Sequence, residues 1–215
     1  MIKLENNIES LDPKSSLSFL DNVDAFHTVS KSVKIKSSED IWKIDNFLSN
    51  EECDEILLKC ETEGFTELTF RPSKRLIAFD NNKNLTQTIK NRLDNESLNQ
   101  KFVKPYGFYT DLINWDKNIK INPCIRVNKY IDSGFDLYRD AQFTKSYYAR
   151  SNYTLVIYLN DNYEHGETCF ISLKVKQDNN DNNNNGKTVN EEMTDMEYDR
   201  IEIKPKKGMA IIFDF

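Results

Sequence analysis

Four cysteines are the side chains of this sequence best suited to metal or disulfide sites: Cys53, Cys60, Cys124 and Cys169. No two of them have the Cys-x-x-Cys spacing of a zinc site. Cys53 and Cys60 lie seven residues apart in a segment with a helical pattern, which places both on one face. This spacing indicates reduced core thiols, as in a cytoplasmic protein, and favours neither structural zinc nor a disulfide framework.

The composition argues against two classes of partner. The chain has 29 basic and 35 acidic residues and a net charge of −6, so it lacks the basic excess of a nucleic-acid-binding protein. No apolar run approaches the ~20 residues of a membrane-spanning helix. The 13 Phe and 10 Tyr favour β structure, and 215 residues suffice for one substantial core. We therefore expect no nucleic-acid or membrane partner.

Two helices are predicted from capping and periodicity. Ser49 as N-cap and Glu52 three residues later form a capping box. The helix that follows is expected to run from Asn50 to about Glu63 and to end at Gly64. Apolar residues that recur every four positions predict a second helix over about Leu85–Asn95.

The second half of the chain has the pattern of β-strands. The continuous apolar run Tyr153–Leu159 predicts a buried central strand. Further strands are expected at Ile41–Leu48, where a short strand leads into a turn, and at Cys124–Ile131, Thr168–Val175, Arg200–Lys204 and Met209–Phe213. Helices followed by strands indicate an α+β protein whose second half is a sandwich or barrel.

Two polar segments interrupt this pattern. Residues 1–38 are interpreted as a polar N-terminal arm with one short helix around Leu17–Phe26. The asparagine-rich stretch 178–186 is expected to be a disordered loop tip, because such tracts bury too little apolar surface to offset the entropy of ordering. We interpret it as an inert insertion and not as a prion-like element.

The chain from Ile44 to Phe215 resembles the prolyl 4-hydroxylase-like branch of the Fe(II)/2-oxoglutarate dioxygenases. The resemblance is carried, in the family's order, by five stretches: 44–53, 122–130, 151–161, 163–170 and 207–214. It implies N-terminal helices packed on a double-stranded β-helix, a jelly-roll or cupin-like core. The dioxygenase domain would then cover residues 39–215, after the arm of residues 1–38.

The resemblance also implies an iron site, which departs from the family's pattern. The chemistry requires two histidines and one carboxylate on one face of Fe(II). The carboxylate position is Asp140, the first histidine position holds Tyr138, and the second histidine position falls beyond Phe215. The histidines of the chain, His27 and His165, match neither position. A phenol with a pKa near ~10 would have to ionise to bind the metal, and tyrosinate suits ferric iron better than ferrous iron.

Other residues have roles implied by the resemblance, each with a plainer alternative. Tyr130 and Thr154 are expected to line the 2-oxoglutarate pocket, beside Arg126 and Tyr158. The alternative is that they are interior or cross-strand residues, as strand propensity alone explains. For Asp140 the alternative to a metal role is a solvated loop carboxylate.

The loop over residues 142–150 combines aromatic and basic side chains, namely Tyr147, Tyr148 and Arg150. In the family that the chain resembles, this loop borders the substrate entrance. Exposed tyrosines beside cations are also typical of protein-binding surfaces. The loop is therefore the predicted contact for a protein substrate or a protein partner.

Two hypotheses of function follow. One is a dioxygenase that hydroxylates a protein side chain, prolyl by resemblance, with Fe(II) and 2-oxoglutarate as cofactors. The other is a catalytically inactive relative that serves as a protein-binding or assembly module. The strand Met209–Phe213 has no closing turn after it, which indicates an interrupted domain. An unpaired strand edge invites another chain, so a homo-oligomer is a further expectation.

Overall fold

The computed structural model describes residues 2–3, 15–23, 27–35, 41–68, 73–95, 121–132, 134, 137, 144–146, 149–151, 153–173 and 198–214. Within them the helices are α1 (Asn50–Glu63) and α2 (Asn84–Asn95). The strands are β1 (Ile2–Lys3), β2 (Ser15–Leu17), β3 (Val33–Lys34), β4 (Ile41–Ile44), β5 (Thr66–Glu67), β6 (Ser73–Asp80), β7 (Cys124–Tyr130), β8 (Thr144–Ser146), β9 (Ala149–Arg150), β10 (Tyr153–Ile157), β11 (Thr168–Leu173), β12 (Tyr198–Ile203) and β13 (Ala210–Asp214). The chain divides into two compact units, residues 1–162 with 206–215, and residues 163–205.

Both predicted helices are confirmed. At the start of α1 the Ser49 hydroxyl accepts a hydrogen bond from the Glu52 N–H at 3.1 Å, and the Ser49 N–H donates to the Glu52 carboxylate at 2.9 Å. The helix ends at Gly64, whose φ is 93° and whose N–H donates to the Cys60 carbonyl. Helix α2 begins one residue before the predicted start, and the Asp80 carboxylate accepts from the N–H and hydroxyl of Thr86. Neither described helix is long and apolar enough to cross a bilayer.

The larger unit is built on one main sheet. Its strand order is β2-β6-β7-β1-β10-β13-β4-β3, with β5 paired to β6. Neighbouring strands are antiparallel, except for the parallel pair of β2 and β6. The predicted central strand is confirmed, since β10 lies between β1 and β13. Its backbone pairing continues to Tyr158, whose N–H donates to the Met209 carbonyl at 2.9 Å. The chain is thus an α+β protein with mostly antiparallel strands.

One face of the main sheet forms the hydrophobic core, and we call it the core face. Side chains alternate along each strand, so every second residue points to the same side. The core face carries Trp42, Ile44, Leu76, Ala78, Ile125, Val127, Leu155, Ile157, Ala210 and Ile212. The same cluster includes residues of both helices, among them Ile56, Leu85 and Ile89. The helices and the sheet therefore share one core.

The predicted short helix around Leu17–Phe26 is wrong. Ser15–Leu17 is strand β2, which runs parallel to β6, and none of the described residues 15–23 is helical. Phe19 and Leu20 are fully buried in the core. The side-chain amides of Asn82 and Asn84 donate to the Leu20 carbonyl, and these bonds to a distant segment replace those of a helix. The domain boundary after residue 38 stays a prediction.

The smaller unit contains a two-stranded antiparallel sheet. Strands β11 and β12 pair from Thr168 opposite Ile203 to Leu173 opposite Tyr198, close to the strands predicted for this region. The asparagine-rich stretch 178–186 between them lies outside the described residues. Strands β8 and β9 form another two-stranded sheet within the larger unit. The jelly-roll arrangement of two facing sheets stays a prediction.

Candidate functional site

The face of the main sheet opposite the core face carries a group of polar side chains, and we call it the polar face. Its polar members on β6, β7, β10 and the residue after β10 are Ser73, Arg75, Arg126, Asn128, Tyr130, Thr154 and Tyr158. Ser73, Arg126, Asn128, Thr154 and Tyr158 are buried, whereas Arg75 and Tyr130 are half-buried. Buried polar groups in a strand pattern are uncommon, so this face is the candidate site.

The pairing of β6 with β7 builds one end of the polar face. Ser73 lies directly opposite Tyr130, and Arg75 lies directly opposite Asn128. The Arg75 Nε–H donates to the Asn128 Oδ1 at 2.9 Å, which fixes the guanidinium against the sheet. The Ser73 hydroxyl is buried and has no hydrogen-bond partner among the described residues.

Two arginines lie on the polar face, although the chain as a whole is acidic. Arg126 is 4% exposed and lies diagonally across from Arg75, two residue pairs further along the ladder. Among the described residues, the strands β6, β7, β10 and β13 place no Asp or Glu on this face. Asp80 and Asp214, the acidic residues of these strands, fall on the core face by alternation. Arg75 and Arg126 are therefore the charged side chains that the described residues of these four strands place on the polar face.

The structure places Tyr130 and Thr154 on the same face but not together. Ile2 of β1 pairs with Val127 on one side and with Ile157 on the other, which sets the register between β7 and β10. Thr154 is therefore level with Cys124, six residues away from Tyr130. At ~3.3 Å per residue the two side chains are about 20 Å apart along the strands. A ligand as small as 2-oxoglutarate does not contact both in this register.

Tyr158 is better placed beside the Tyr130 end of the face. By the same register it is level with Asn128, and it is buried.

The sequence analysis did not predict Ser73, Arg75 and Asn128 as site residues. Arg126, Asn128 and Tyr130 occupy alternate positions of β7, and this spacing could have identified Asn128 as a residue of the same face. No sequence pattern pointed to Ser73 and Arg75, because strand β6 was not predicted.

Several predicted site residues lie outside the described residues. Tyr138, Asp140, Tyr147 and Tyr148 are among them, and for Arg150 only the backbone in β9 is described. Their predicted roles in metal binding and in partner binding stay predictions.

An iron site of this kind would require the histidines of the chain, His27 and His165. The His27 Nε2–H donates to the Asn46 carbonyl at 2.8 Å, and His165 lies in the smaller unit, exposed and with a φ of 63°. No group of three potential ligands (His, Cys, Asp or Glu) occurs in the described part of the chain. The iron site that the resemblance implies requires two histidines and one carboxylate. The 215 residues contain two histidines, so both would have to be ligands. The bond of His27 to a backbone carbonyl and the exposed position of His165 do not fit that role.

The prediction that Cys53 and Cys60 are core thiols is confirmed. Both are fully buried in the hydrophobic cluster, and burial raises the pKa of each thiol from 9.0 to about 12. Burial also raises the pKa of Cys124. Cys169 is exposed, with Arg200 Nη2 3.4 Å from its sulfur, and all four thiols are free. None of these cysteines belongs to the polar face except Cys124, which lies at the Thr154 end.

Comparison of the chain with protein-family models, with curated proteins and with solved structures gave no match. The proposals below therefore depend on the geometry of the main sheet and on the chemistry of its residues.

Proposed function

We propose that these 215 residues form a binding module of the dioxygenase fold. The module is a relative of the prolyl 4-hydroxylase-like enzymes that keeps the polar interior of the barrel and holds no iron of its own. In this proposal the main sheet corresponds to one wall of a double-stranded β-helix, and the helices cover the outside of that wall.

One observation carries this proposal. Residues that the resemblance assigns to the 2-oxoglutarate pocket, Tyr130 and Thr154, lie about 20 Å apart along the strands. They nevertheless share with Arg126 a face that the hydrophobic core does not occupy. A dioxygenase barrel needs such a face, because its co-substrate is an anion that binds between the sheets. Arg126 is 4% exposed and Thr154 is fully buried. Polar side chains among buried strand residues are what the wall of a binding site carries, which supports the proposal.

The metal-ligating side chains of the chain favour a binding role over an oxidative role in this proposal. Fe(II) supplies oxygen activation in the enzymes that the chain resembles, and its ligands there include two histidines. His27 is engaged with the backbone of Asn46, and the resemblance assigns neither histidine to the metal. We therefore derive no oxidation step for these residues.

The partner that we propose is a protein, in a cytoplasmic setting where thiols stay reduced. All four cysteines are free, which fits that setting. The proposed contact surface for the partner is the loop with Tyr147, Tyr148 and Arg150. We also propose that two copies of the chain can associate.

Metal titration tests the proposal. The protein is purified without oxygen, and Mn(II) or Fe(II) is added while heat release is measured. We expect no near-stoichiometric binding to the unmodified chain, and we expect that Asp140→Asn leaves the titration unchanged. Near-stoichiometric binding that Asp140→Asn abolishes would overturn the binding-module proposal and restore the enzyme that hydroxylates a protein side chain.

A further inference from the structure

Strand β1 joins two halves of the main sheet that have no direct pairing with each other among the described residues. On one side of β1 lie β2, β5, β6 and β7, and on the other side lie β10, β13, β4 and β3. Ile2 pairs with Val127 of β7 and with Ile157 of β10, and the next residue of β1 also pairs with both strands. We call the space between β7 and β10, which β1 fills, the central slot.

The two edges of the central slot belong to buried strands. The apolar residues of β7 and β10 that are buried are Ile125, Val127, Leu155, Val156 and Ile157. Backbone N–H and C=O groups at such edges need hydrogen-bond partners, because an unpaired polar group that is buried costs free energy. A strand in the slot pairs on both of its sides, whereas a strand added to the outside of a sheet pairs on one. The slot is therefore a site that requires an extended segment.

The register of the slot specifies which segment fits it. The position level with Val127 and Ile157 belongs to the core face, since both residues are members of the hydrophobic cluster. An occupant therefore needs an apolar residue at that position and must run antiparallel to β7 and β10. The chain's own segment Ile2–Lys3 meets both requirements, and every copy of the chain carries this segment together with the slot.

The connection from β1 to β2 is long enough for β1 to reach a second copy. The two strands are three positions apart in the sheet, which is about 14 Å. Residues 4–14, eleven in number, lie between them in the sequence, and a chain of that length spans up to ~36 Å when extended. The described pairing of β1 covers two residues, so few hydrogen bonds of the sheet break when it leaves.

We propose that two copies of the chain exchange β1, so that Ile2–Lys3 of each copy fills the central slot of the other. The exchange closes as a two-fold dimer, because each copy supplies one strand and one slot. The contacts within each slot are the same in the dimer as in the single chain, so the dimer forms at low cost. This inference rests on the proposed function in one respect, the association of two copies, for which it names the contact.

A disulfide between β1 and β7 tests the exchange. In the variant Ile2→Cys/Val127→Cys the new cysteines lie directly opposite each other, with Cβ atoms about 4.5–5.5 Å apart, near the separation that a disulfide needs. Cys169→Ser in the same chain removes the exposed native thiol. The matched control is Lys43→Cys/Ile211→Cys, a directly opposite pair on β4 and β13, which are not exchanged.

The proteins are concentrated, monomer and dimer are separated by gel filtration, and each fraction is oxidised with diamide and run on a denaturing gel without reductant. We expect the dimer fraction of Ile2→Cys/Val127→Cys to contain pairs of linked chains. Its monomer fraction should contain single chains. The control pair should give single chains from both fractions.

Ile2→Pro gives a second measurement that introduces no cysteine into the core, so the test stays valid if the double variant does not fold. Proline has no N–H to donate and is excluded from the middle of a sheet, so β1 should not pair in this variant. Sedimentation should show that Ile2→Pro raises the dissociation constant of the dimer about tenfold or more, and that Ile2→Val leaves it unchanged.

Three results would overturn the exchange of β1. A monomer at every concentration would reject the exchange together with the association of two copies. A dimer whose disulfides all lie within single chains would leave the association in place and reject the exchange. A dimer that Ile2→Pro does not weaken would mean that the copies meet through another surface.

Discussion

Glu52 and Arg92 join the two helices through a buried two-pronged ion pair. Arg92 Nη1 lies 2.6 Å from Glu52 Oε2, and Arg92 Nη2 lies 2.7 Å from Glu52 Oε1. Arg92 Nη1 also donates to the Phe47 carbonyl at 2.8 Å, and Glu52 accepts from the Ser49 N–H. The pair therefore ties α2 to the capped start of α1, and both charges are satisfied from several directions.

Removing one partner of this pair should be strongly destabilising. Arg92→Leu leaves the Glu52 carboxylate buried without its counter-ion, and we expect a loss of about 3–5 kcal/mol in the free energy of unfolding. The matched control is Lys129→Gln, which breaks an exposed pair with Glu61 and should cost less than about 1 kcal/mol. Urea denaturation measures both, and similar losses in the two variants would contradict the buried pair.

Gly208 should tolerate no side chain. Its φ is 75°, and a Cβ added there would overlap the Leu48 carbonyl oxygen. Its carbonyl also accepts from the N–H groups of Phe47 and Leu48, and its N–H donates to Tyr158, so the backbone has little freedom to move. We expect Gly208→Ala to lower the free energy of unfolding by about 2 kcal/mol or more.

Gly134→Ala is the control for Gly208. Gly134 is exposed, and a Cβ there would meet no atom of the described residues within 4 Å, so the change should shift stability by no more than about 0.5 kcal/mol. Chemical denaturation compares the two variants. Equal stability of Gly208→Ala and the unmodified protein would show that the turn before β13 is not packed as described.

The buried thiols make stability fall at alkaline pH. The pKa of Cys60 is raised by burial from 9.0 to about 12, so the folded state keeps the thiol neutral while the unfolded state ionises. The contribution of the neutral Cys60 thiol to the free energy of unfolding is complete below pH 9 and is lost progressively as the pH rises towards 12. The rate of loss is about 1.4 kcal/mol per pH unit for each such thiol.

A comparison with Cys60→Ala isolates this contribution. At neutral pH the variant should be less stable, because it leaves a cavity in the core. Above pH 9 the difference between the two proteins should narrow, since the variant has no thiol to ionise at that position. Free energies of unfolding at pH 7, 9 and 10 measure it. A constant difference across that range would mean that the Cys60 thiol is not held neutral by the fold.

Local features of the sequence were enough to predict part of the fold. The Ser49–Glu52 capping box predicts the start of α1 because both of its hydrogen bonds join residues three positions apart. The apolar run from Tyr153 predicts a strand with neighbours on both sides, because a strand that is buried on both faces shows no alternation of apolar and polar residues.

The parts that were missed depend on contacts between distant residues. Strand β6 carries Lys74 and Arg75 near its start, which hides its alternation, and it pairs with β7 about 50 residues later. Phe19 and Leu20 are adjacent, a spacing that predicts no regular face, yet both enter the core. The polar face is visible only once the register of β6 on β7 is known. For this reason the residues that β6 contributes to the polar face, Ser73 and Arg75, could not be predicted from the sequence.

Succinate release from 2-oxoglutarate most directly tests whether these residues oxidise a substrate. The protein is incubated with Fe(II), ascorbate, oxygen and 2-oxoglutarate, and succinate is quantified beside a reaction that lacks protein. A binding module predicts no succinate above that background, and the same result for Asp140→Asn. Succinate released by the unmodified protein and absent with Asp140→Asn would contradict it and would identify a working dioxygenase.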